Sequence, residues 1–315
     1  KGSLATIRPE DMASQVIEQV IEQSGVMVED IEDLMLGCAY PEGVQGLNLG
    51  RMITYLSGLP SSIPGVTTNR LCGSSMQSIH DAAGAIAIGS GDVFLCGGVE
   101  TMSLVKRGGW NRDLHPMIES DYPDAYINMG LTAEAVAEKW DISREDQDEF
   151  ALNSHKKALN AIEKGYFKSG IIPITVKETC LDENEKRQKR EFVVDTDEGP
   201  RKGGTIEALN KLRPVFAQKG SVTAGNASQT SDGAAFVLLM SEKMVNELGV
   251  KPIAKLLSYQ VAGVEPKHMG IGPVKAVPLA LKKAGLKLED IEQIELNEAF
   301  ASQSLAVIRE LGLNP

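Results

Sequence analysis

The sequence is 315 residues long, with 42% hydrophobic and 24% charged side chains and a formal net charge of −11. That balance is ordinary for a globular protein and argues against a general nucleic-acid or anionic-membrane surface, although a local patch can still take an anionic ligand. No apolar run approaches the length needed to cross a bilayer, and the four cysteines, Cys38, Cys72, Cys96 and Cys180, show neither CxxC pairing nor metal spacing, which fits a reducing compartment.

In chain order, the patterns alternate between helix and strand. Residues 11–25 form an amphipathic helix with Met12, Val16, Ile17, Val20 and Ile21 on one face. Residues 31–38 read as a buried strand, residues 47–56 as a helix and residues 63–68 as a short β-branched strand. Met76, Ile79, Ala83 and Ile86 then recur at helical spacing and predict a helix with these residues on its buried face. Residues 93–96 are another strand, closed by Gly97-Gly98. Residues 104–218 are charged and irregular. Within them, Ser143 and Asp146 predict a capping box opening a helix that runs to about Lys164, and residues 182–202 read as a polar surface excursion. Alternation resumes at Ser221, and residues 291–296 read as a further strand. The whole indicates a layered α/β protein with an insertion. The four histidines, His80, His115, His155 and His268, are scattered and fit surface or capping positions.

Cys72 stands out chemically. It falls in the turn between the strand ending at Thr68 and the helix after Gly73-Ser74-Ser75. Backbone N–H groups and the dipole at a helix start stabilise negative charge, so a thiol there becomes a better nucleophile. The alternative on local grounds is a small core cysteine. Asn297 likewise ends a predicted strand, where α/β sites collect, or simply caps the next helix.

An internal echo accompanies these motifs. Glu29-Asp30-Ile31-Glu32 recurs as Glu289-Asp290-Ile291-Glu292 at an offset of 260 residues, each copy preceded by an amphipathic helix. It is either chance or a duplicated α/β half.

The stretch NRLCGSSMQSIHDAAGAI (residues 69–86), with GGVETMS after it, resembles the nucleophile region of thiolases. SREDQDEFALNSHKKA (143–158), SVTAGNASQTSDGAA (221–235) and ELNEAFASQ (295–303) resemble further thiolase segments in the same order. The resemblance implies a thiolase-like fold: two similar α/β halves in a layered αβαβα arrangement with an inserted loop domain, the second half being incomplete in this chain. The expected domains are residues 1–103 with 219–245, carrying the nucleophile; 104–218, the inserted CoA-binding loop domain; and 246–315, the start of the C-terminal half. The family's Gly-His-Pro histidine and second cysteine have no counterpart here, which suggests a chain trimmed or unresolved at both ends.

The same resemblance implies residue roles. Cys72 is the acylated nucleophile, and its backbone N–H contributes to one oxyanion hole. Asn297 holds a water in the other. Ser228 contacts the pantetheine arm of CoA, Arg201 and Leu212 flank its adenine and ribose, and Met129, Met269 and Phe300 line the substrate site. On local grounds Ser228 is a loop residue, Arg201 a surface cation, and the two methionines core. The implied reaction is that of a 3-ketoacyl-CoA thiolase in fatty-acid β-oxidation, an acetyl-CoA acyltransferase. The alternatives are the biosynthetic acetoacetyl-CoA direction and a non-catalytic CoA-thioester-binding protein. CoA enters as substrate, with no bound cofactor and no metal. Acyl-CoA and CoA are the expected partners of a homodimer in the cytoplasm, or in an organellar matrix if a targeting segment precedes Lys1. Asn128, where acetoacetyl-CoA-specific members carry histidine, and the short stretch from Met102 to Asn128 favour the degradative, dimeric reading.

Overall fold

The computed structural model describes residues 2–181 and 183–315, so the first residue of the expected 182–202 excursion lies outside the described residues. The chain runs α1 (Pro9–Ser24), β1 (Asp33–Gly37), α2 (Leu49–Leu56), β2 (Gly65–Thr68), α3 (Ser74–Ala87) and β3 (Val93–Thr101). It continues through α4 (Pro116–Asp121), α5 (Met129–Lys139), α6 (Arg144–Glu163), β4 (Ile174–Leu181), β5 (Arg187–Val194) and α7 (Ile206–Asn210). The last elements are β6 (Asp232–Met240), α8 (Glu242–Leu248), α9 (Gly272–Ala284) and α10 (Ala301–Leu311). These elements form two compact units. The first holds Lys1–Arg112, Lys168–Asp197 and Thr230–Ala254; the second holds Asp113–Phe167, Glu198–Gln229 and Lys255–Pro315.

The first unit is built on a four-stranded sheet in the order β2-β1-β3-β6. β1 is parallel to both β2 and β3, and β6 closes the edge antiparallel to β3. Successive side chains of a strand point to opposite faces. Leu34, Leu36, Val93 and Leu95 therefore face one side, where they bury with Met12, Ile17, Leu49 and Ile53 of α1 and α2. Met35, Phe94 and Cys96 face the other, against Ile79, Ala82 and Ile86 of α3. Fully burying one such Leu or Ile contributes about 1.5–3 kcal/mol. Because β2 and β3 flank β1 and are reached by helices on opposite faces, the chain reverses direction at the carboxyl end of β1, where α/β proteins place their ligands.

Residues 187–194, expected as irregular surface, form the second strand of an antiparallel hairpin with β4. Ile174 and Val176 bury in the core beside Ile7, and the partly buried Phe192 packs on the same cluster. Those alternate apolar positions stabilise a ribbon whose other face carries Lys177, Glu191, Lys189 and Arg187 beside the exposed Leu181 and Val193.

The second unit packs α5, α6, α9 and α10. Ser143 Oγ accepts the Asp146 N–H at 3.0 Å and caps α6 as expected. Residues 291–296, expected as a strand, make no ladder pairing among the described residues, and Ile294 is 46% exposed. A strand exists by its neighbour's hydrogen bonds, which apolar pattern alone does not supply. The sequence echo has a structural counterpart: α1 and α9 each end at a left-handed glycine with φ 70°, Gly25 and Gly285. A single 3₁₀ turn follows each, Val28–Asp30 and Leu288–Asp290, at the same offset of 260 residues.

Candidate active site

The turn between β2 and α3 is an elbow. Cys72 is exposed in it, and Leu71 before it takes φ 47°, a left-handed conformation that branched side chains rarely adopt. Ser74 braces the turn: its Oγ accepts the Arg70 N–H at 2.9 Å and donates to the Leu71 carbonyl at 2.6 Å. The helix that starts here sits hard against the sheet. A Cβ on Gly37 would strike the backbone of Ser74 and Ser75, and one on Gly98 would meet the Ser75 side chain and the Gly37 carbonyl. Ser78 Oγ joins helix to sheet, accepting the Gly97 N–H at 3.1 Å and donating to its carbonyl at 3.2 Å.

This seat corrects the expected face of α3. Ser74, Gln77, Ser78 and Ala82 are buried, Ile79 and Ile86 partly so, and Met76 is 64% exposed. Near the glycine strands only small side chains fit, so size overrides hydrophobicity.

The other cysteines are held differently. Burial, and then the nearby Glu100 carboxylate, push the Cys38 thiol up to about 12. Burial, with Asp33 and Asp81 nearby, does the same to Cys96, again to about 12. Both are neutral thiols at any physiological pH. Cys180 is half-buried on the hairpin, its Sγ donating to the Gln188 carbonyl at 3.8 Å. Among these four, Cys72 is the exposed thiol at a helix start.

The other sequence-predicted residues lie in the second unit. Asn297 is exposed in the loop before α10, and Phe300 is the residue preceding that helix. This loop is tied to the one carrying Ser228: the Ser228 N–H donates to the Ala299 carbonyl at 3.0 Å, and the Ala301 N–H to the Asn226 carbonyl at 3.0 Å. Phe300 packs edge-on to Phe216 with ring centroids 6.1 Å apart. Phe216 in turn fills the space beside Gly130, the neighbour of Met129. Met129 is 36% exposed as the first residue of α5, and Asn128 caps that helix, accepting the Gly130 N–H at 2.8 Å. Leu212 packs over Gly225 of the Ser228 loop. The exposed Arg201 donates its N–H to His155 Nδ1 at 3.3 Å, and His155 is held below its ordinary range by burial and by the Arg201 charge, with Glu298 opposing. Met269 lies on a 3₁₀ turn next to Gly270, which abuts Gln303 of α10. Ser228, Asn297, Phe300 and Leu212 thus assemble around one pair of loops, and Cys72 stands in the first unit. His268, expected at a surface or cap, instead packs edge-on to Trp140 at 5.7 Å.

Sequence reasoning did not single out the residues that build the Ser228 loop. Buried Asn226 accepts the Thr223 N–H at 2.7 Å and donates to Asp148 Oδ1 at 2.9 Å. Asp148 is paired with Arg144 at 2.7 Å, and Arg144 also donates to the Leu209 carbonyl at 2.7 Å. Glu134 accepts the N–H groups of Ser221 and Val222 at 2.8 and 3.0 Å. Arg144 and Asp148, four apart on an otherwise solvated helix, were the available signal.

Among the described residues no three His, Cys, Asp or Glu side chains cluster as a metal site requires, and no helix is long and apolar enough to cross a membrane.

Comparison with known proteins follows the same lines. The chain is 48% identical over 314 residues to a 3-ketoacyl-CoA thiolase of Bacillus subtilis (strain 168), covering 100% of this chain and 80% of that protein. It is 44% identical over 324 residues to an acetyl-CoA acetyltransferase of Pseudomonas aeruginosa, covering 99% and 80% respectively. The crystal structure of the Bacillus anthracis acetyl-CoA acetyltransferase superposes with a TM-score of 0.88 at 40% identity, over 99% of this chain and 80% of that one. The family model "Thiolase, N-terminal domain" matches residues 1–243 and "Thiolase, C-terminal domain" matches residues 250–315. With both family domains matched in order along its length and an exposed thiol in the turn before α3, the chain belongs to the thiolase family.

Proposed function

We propose that this protein is a 3-ketoacyl-CoA thiolase, an acetyl-CoA acyltransferase of fatty-acid breakdown, with Cys72 as its nucleophile. The observation that carries the reading is the elbow: an exposed thiol two residues before the start of α3, while Cys38 and Cys96 are buried and held neutral. The Cys72 thiolate attacks the 3-keto carbon. The bond between that carbon and the α-carbon breaks, its electron pair passes into the acetyl-CoA enolate, and the enolate carbon takes a proton. The acyl group remains on Cys72 as a thioester. The thiolate of a second CoA then attacks that carbonyl, and Cys72 leaves with its electron pair, which completes a covalent cycle.

Asn297 donates to a water that stabilises the developing oxyanion. Ser228 takes the pantetheine arm, Arg201 and Leu212 take the adenine and ribose end, and Met129, Met269 and Phe300 line the acyl side. Supporting this grouping, Ser228 and Phe300 belong to loops that hydrogen-bond each other, and Leu212 packs on one of them. CoA is substrate, and no bound cofactor is invoked. The synthetic, acetoacetyl-CoA-forming direction uses the same residues and matches the acetyl-CoA acetyltransferase names of some relatives. Asn128 favours breakdown, because it serves as the cap of α5 where members specific for acetoacetyl-CoA place a histidine. We place the enzyme in the cytoplasm as a homodimer: its four cysteines suit a reducing compartment, and the stretch between Met102 and Asn128 is short.

Incubation with a 3-ketoacyl-CoA and peptide mapping tests the assignment. The expected adduct is on Cys72 alone. Cys72→Ser is expected to lose turnover almost entirely, because a serine alkoxide is not formed near neutral pH, and Asn297→Ala to lower kcat by about a hundredfold with the fold intact. An adduct on Cys38, Cys96 or Cys180 with Cys72 unmodified overturns the reading.

A further inference from the structure

Leu71 is an unlikely residue to hold a left-handed backbone. For a non-glycine residue that conformation is strained, and Leu71 is 54% exposed, so its own burial does not offset the strain. Something else fixes the residue that aims Cys72. We propose that Asn69 is a positioning residue for the nucleophile, bolting the elbow to the half-buried Glu100 carboxylate near the ends of β1 and β3. The proposal rests on the reading of Cys72 as nucleophile.

Both ends of the Asn69 amide are used. Oδ1 accepts the Leu71 N–H at 2.7 Å, and Nδ2 donates to the Ala39 carbonyl at 3.0 Å. Ala39 is itself pinned. Its N–H donates to Glu100 Oε2 at 2.7 Å, and the next N–H, of Tyr40, donates to Glu100 Oε1 at 3.3 Å. Gln45, fully buried, locks the set: its Nε2 donates to the Tyr40 carbonyl at 2.8 Å and to Glu100 Oε1 at 2.6 Å, and its Oε1 accepts the Thr101 hydroxyl at 2.9 Å. Glu100 lies two residues beyond Gly98, which pairs with Gly37 across the β1–β3 ladder and abuts the start of α3. The elbow is therefore held from the α3 side by Ser74 and from the sheet side by Asn69. Only a carboxamide supplies donor and acceptor on one short planar group; aspartate keeps the acceptor and loses the donor.

The test compares wild type, Asn69→Ala, Asn69→Asp, Leu71→Gly and the double variant Asn69→Ala/Leu71→Gly. Three quantities are read: melting temperature, the rate of Cys72 alkylation by iodoacetamide across pH, and kcat and KM with a 3-ketoacyl-CoA. Misplacing a reacting atom by about 1 Å costs about a hundredfold, so Asn69→Ala is expected to lower kcat and Cys72 alkylation by about that order, with KM nearly unchanged. Asn69→Asp is expected to lose part of this. Leu71→Gly in the Asn69→Ala background is expected to recover rate, since glycine takes positive φ without strain; a merely structural loss would not respond to that change. Asn69→Asp with wild-type kcat and alkylation overturns the proposal, whether or not Asn69→Ala folds. So does an Asn69→Ala defect that Leu71→Gly leaves untouched. Failure of the wild-type enzyme to acylate at Cys72 instead sinks the nucleophile reading, while the alkylation rates still read Asn69 directly.

Discussion

The turn before α3 and the turn before α10 each present an exposed polar residue, Cys72 and Asn297, yet they are held by different physics. The first is set by close approach. Gly37 and Gly98 leave no room for a side chain, so the helix start rests on strand backbone. The second is held by polar groups. Its loop is tied to the Ser228 loop by backbone hydrogen bonds, and that loop is held by the buried Asn226–Asp148–Arg144 chain and by Glu134. A site built on contact should answer to volume, and a site built on buried polar groups should answer to charge and hydrogen bonding.

The largest effect is expected on the polar side. Asp148 is fully buried, and Asp148→Ala removes the charge partner of Arg144 and one acceptor of the Asn226 amide together. Removing one partner of a buried pair costs about 3–5 kcal/mol. Denaturant unfolding measures it, and a loss below 1 kcal/mol, within the range for exposed pairs, would break the contrast.

Next comes the contact side. Gly37→Ala is expected to destabilise by about 1–3 kcal/mol through overpacking, with slower Cys72 alkylation, because the added methyl meets the backbone of Ser74 and Ser75. Gly84 on the same helix has open space around its Cβ position. Gly84→Ala is therefore expected to stabilise by about 0.5–1 kcal/mol from helix propensity alone. Opposite signs in thermal melts support the seat; equal signs remove it.

The smallest effect separates two aspartates on one helix. Asp146, partly exposed near the start of α6, is held below the usual carboxylate range first by its hydrogen bond to Arg309, at 2.7 Å, with desolvation opposing and Ser143 adding to the lowering. A depressed folded pKa stabilises above the unfolded value, about 3.9, and that stability is lost as pH falls through the folded value. Stability of wild type and Asp146→Asn, followed from pH 7 downward, should differ by at most about 1 kcal/mol and converge in acid.

The local pattern made much of this legible. The α1 periodicity, the strand before Cys72 and the Ser143 cap are short-range features: each depends on residues within a turn or two and is written in the sequence directly. So was the elbow, because a strand followed by Gly-Ser-Ser and a helical repeat can place a thiol in few other ways.

Tertiary packing decided the rest. Helical spacing marks an apolar face, yet on α3 it named Met76, which is 64% exposed, while Ser74 and Ser78 are buried against glycine strands that the spacing cannot reveal. Apolar residues at 291–296 do not make a strand without a ladder partner, and the charged stretch around 187–194 becomes one because its hairpin mate supplies the hydrogen bonds and the core accepts Ile174 and Val176. The thiols followed the same division. The turn marks Cys72 in the sequence, but burial beside carboxylates, which holds Cys38 and Cys96 neutral while Cys72 is exposed, is visible only in the packed chain. Sequence sets what each residue prefers over a few neighbours; which neighbours arrive from far along the chain, and how much room and water they leave, is settled only when the chain is packed.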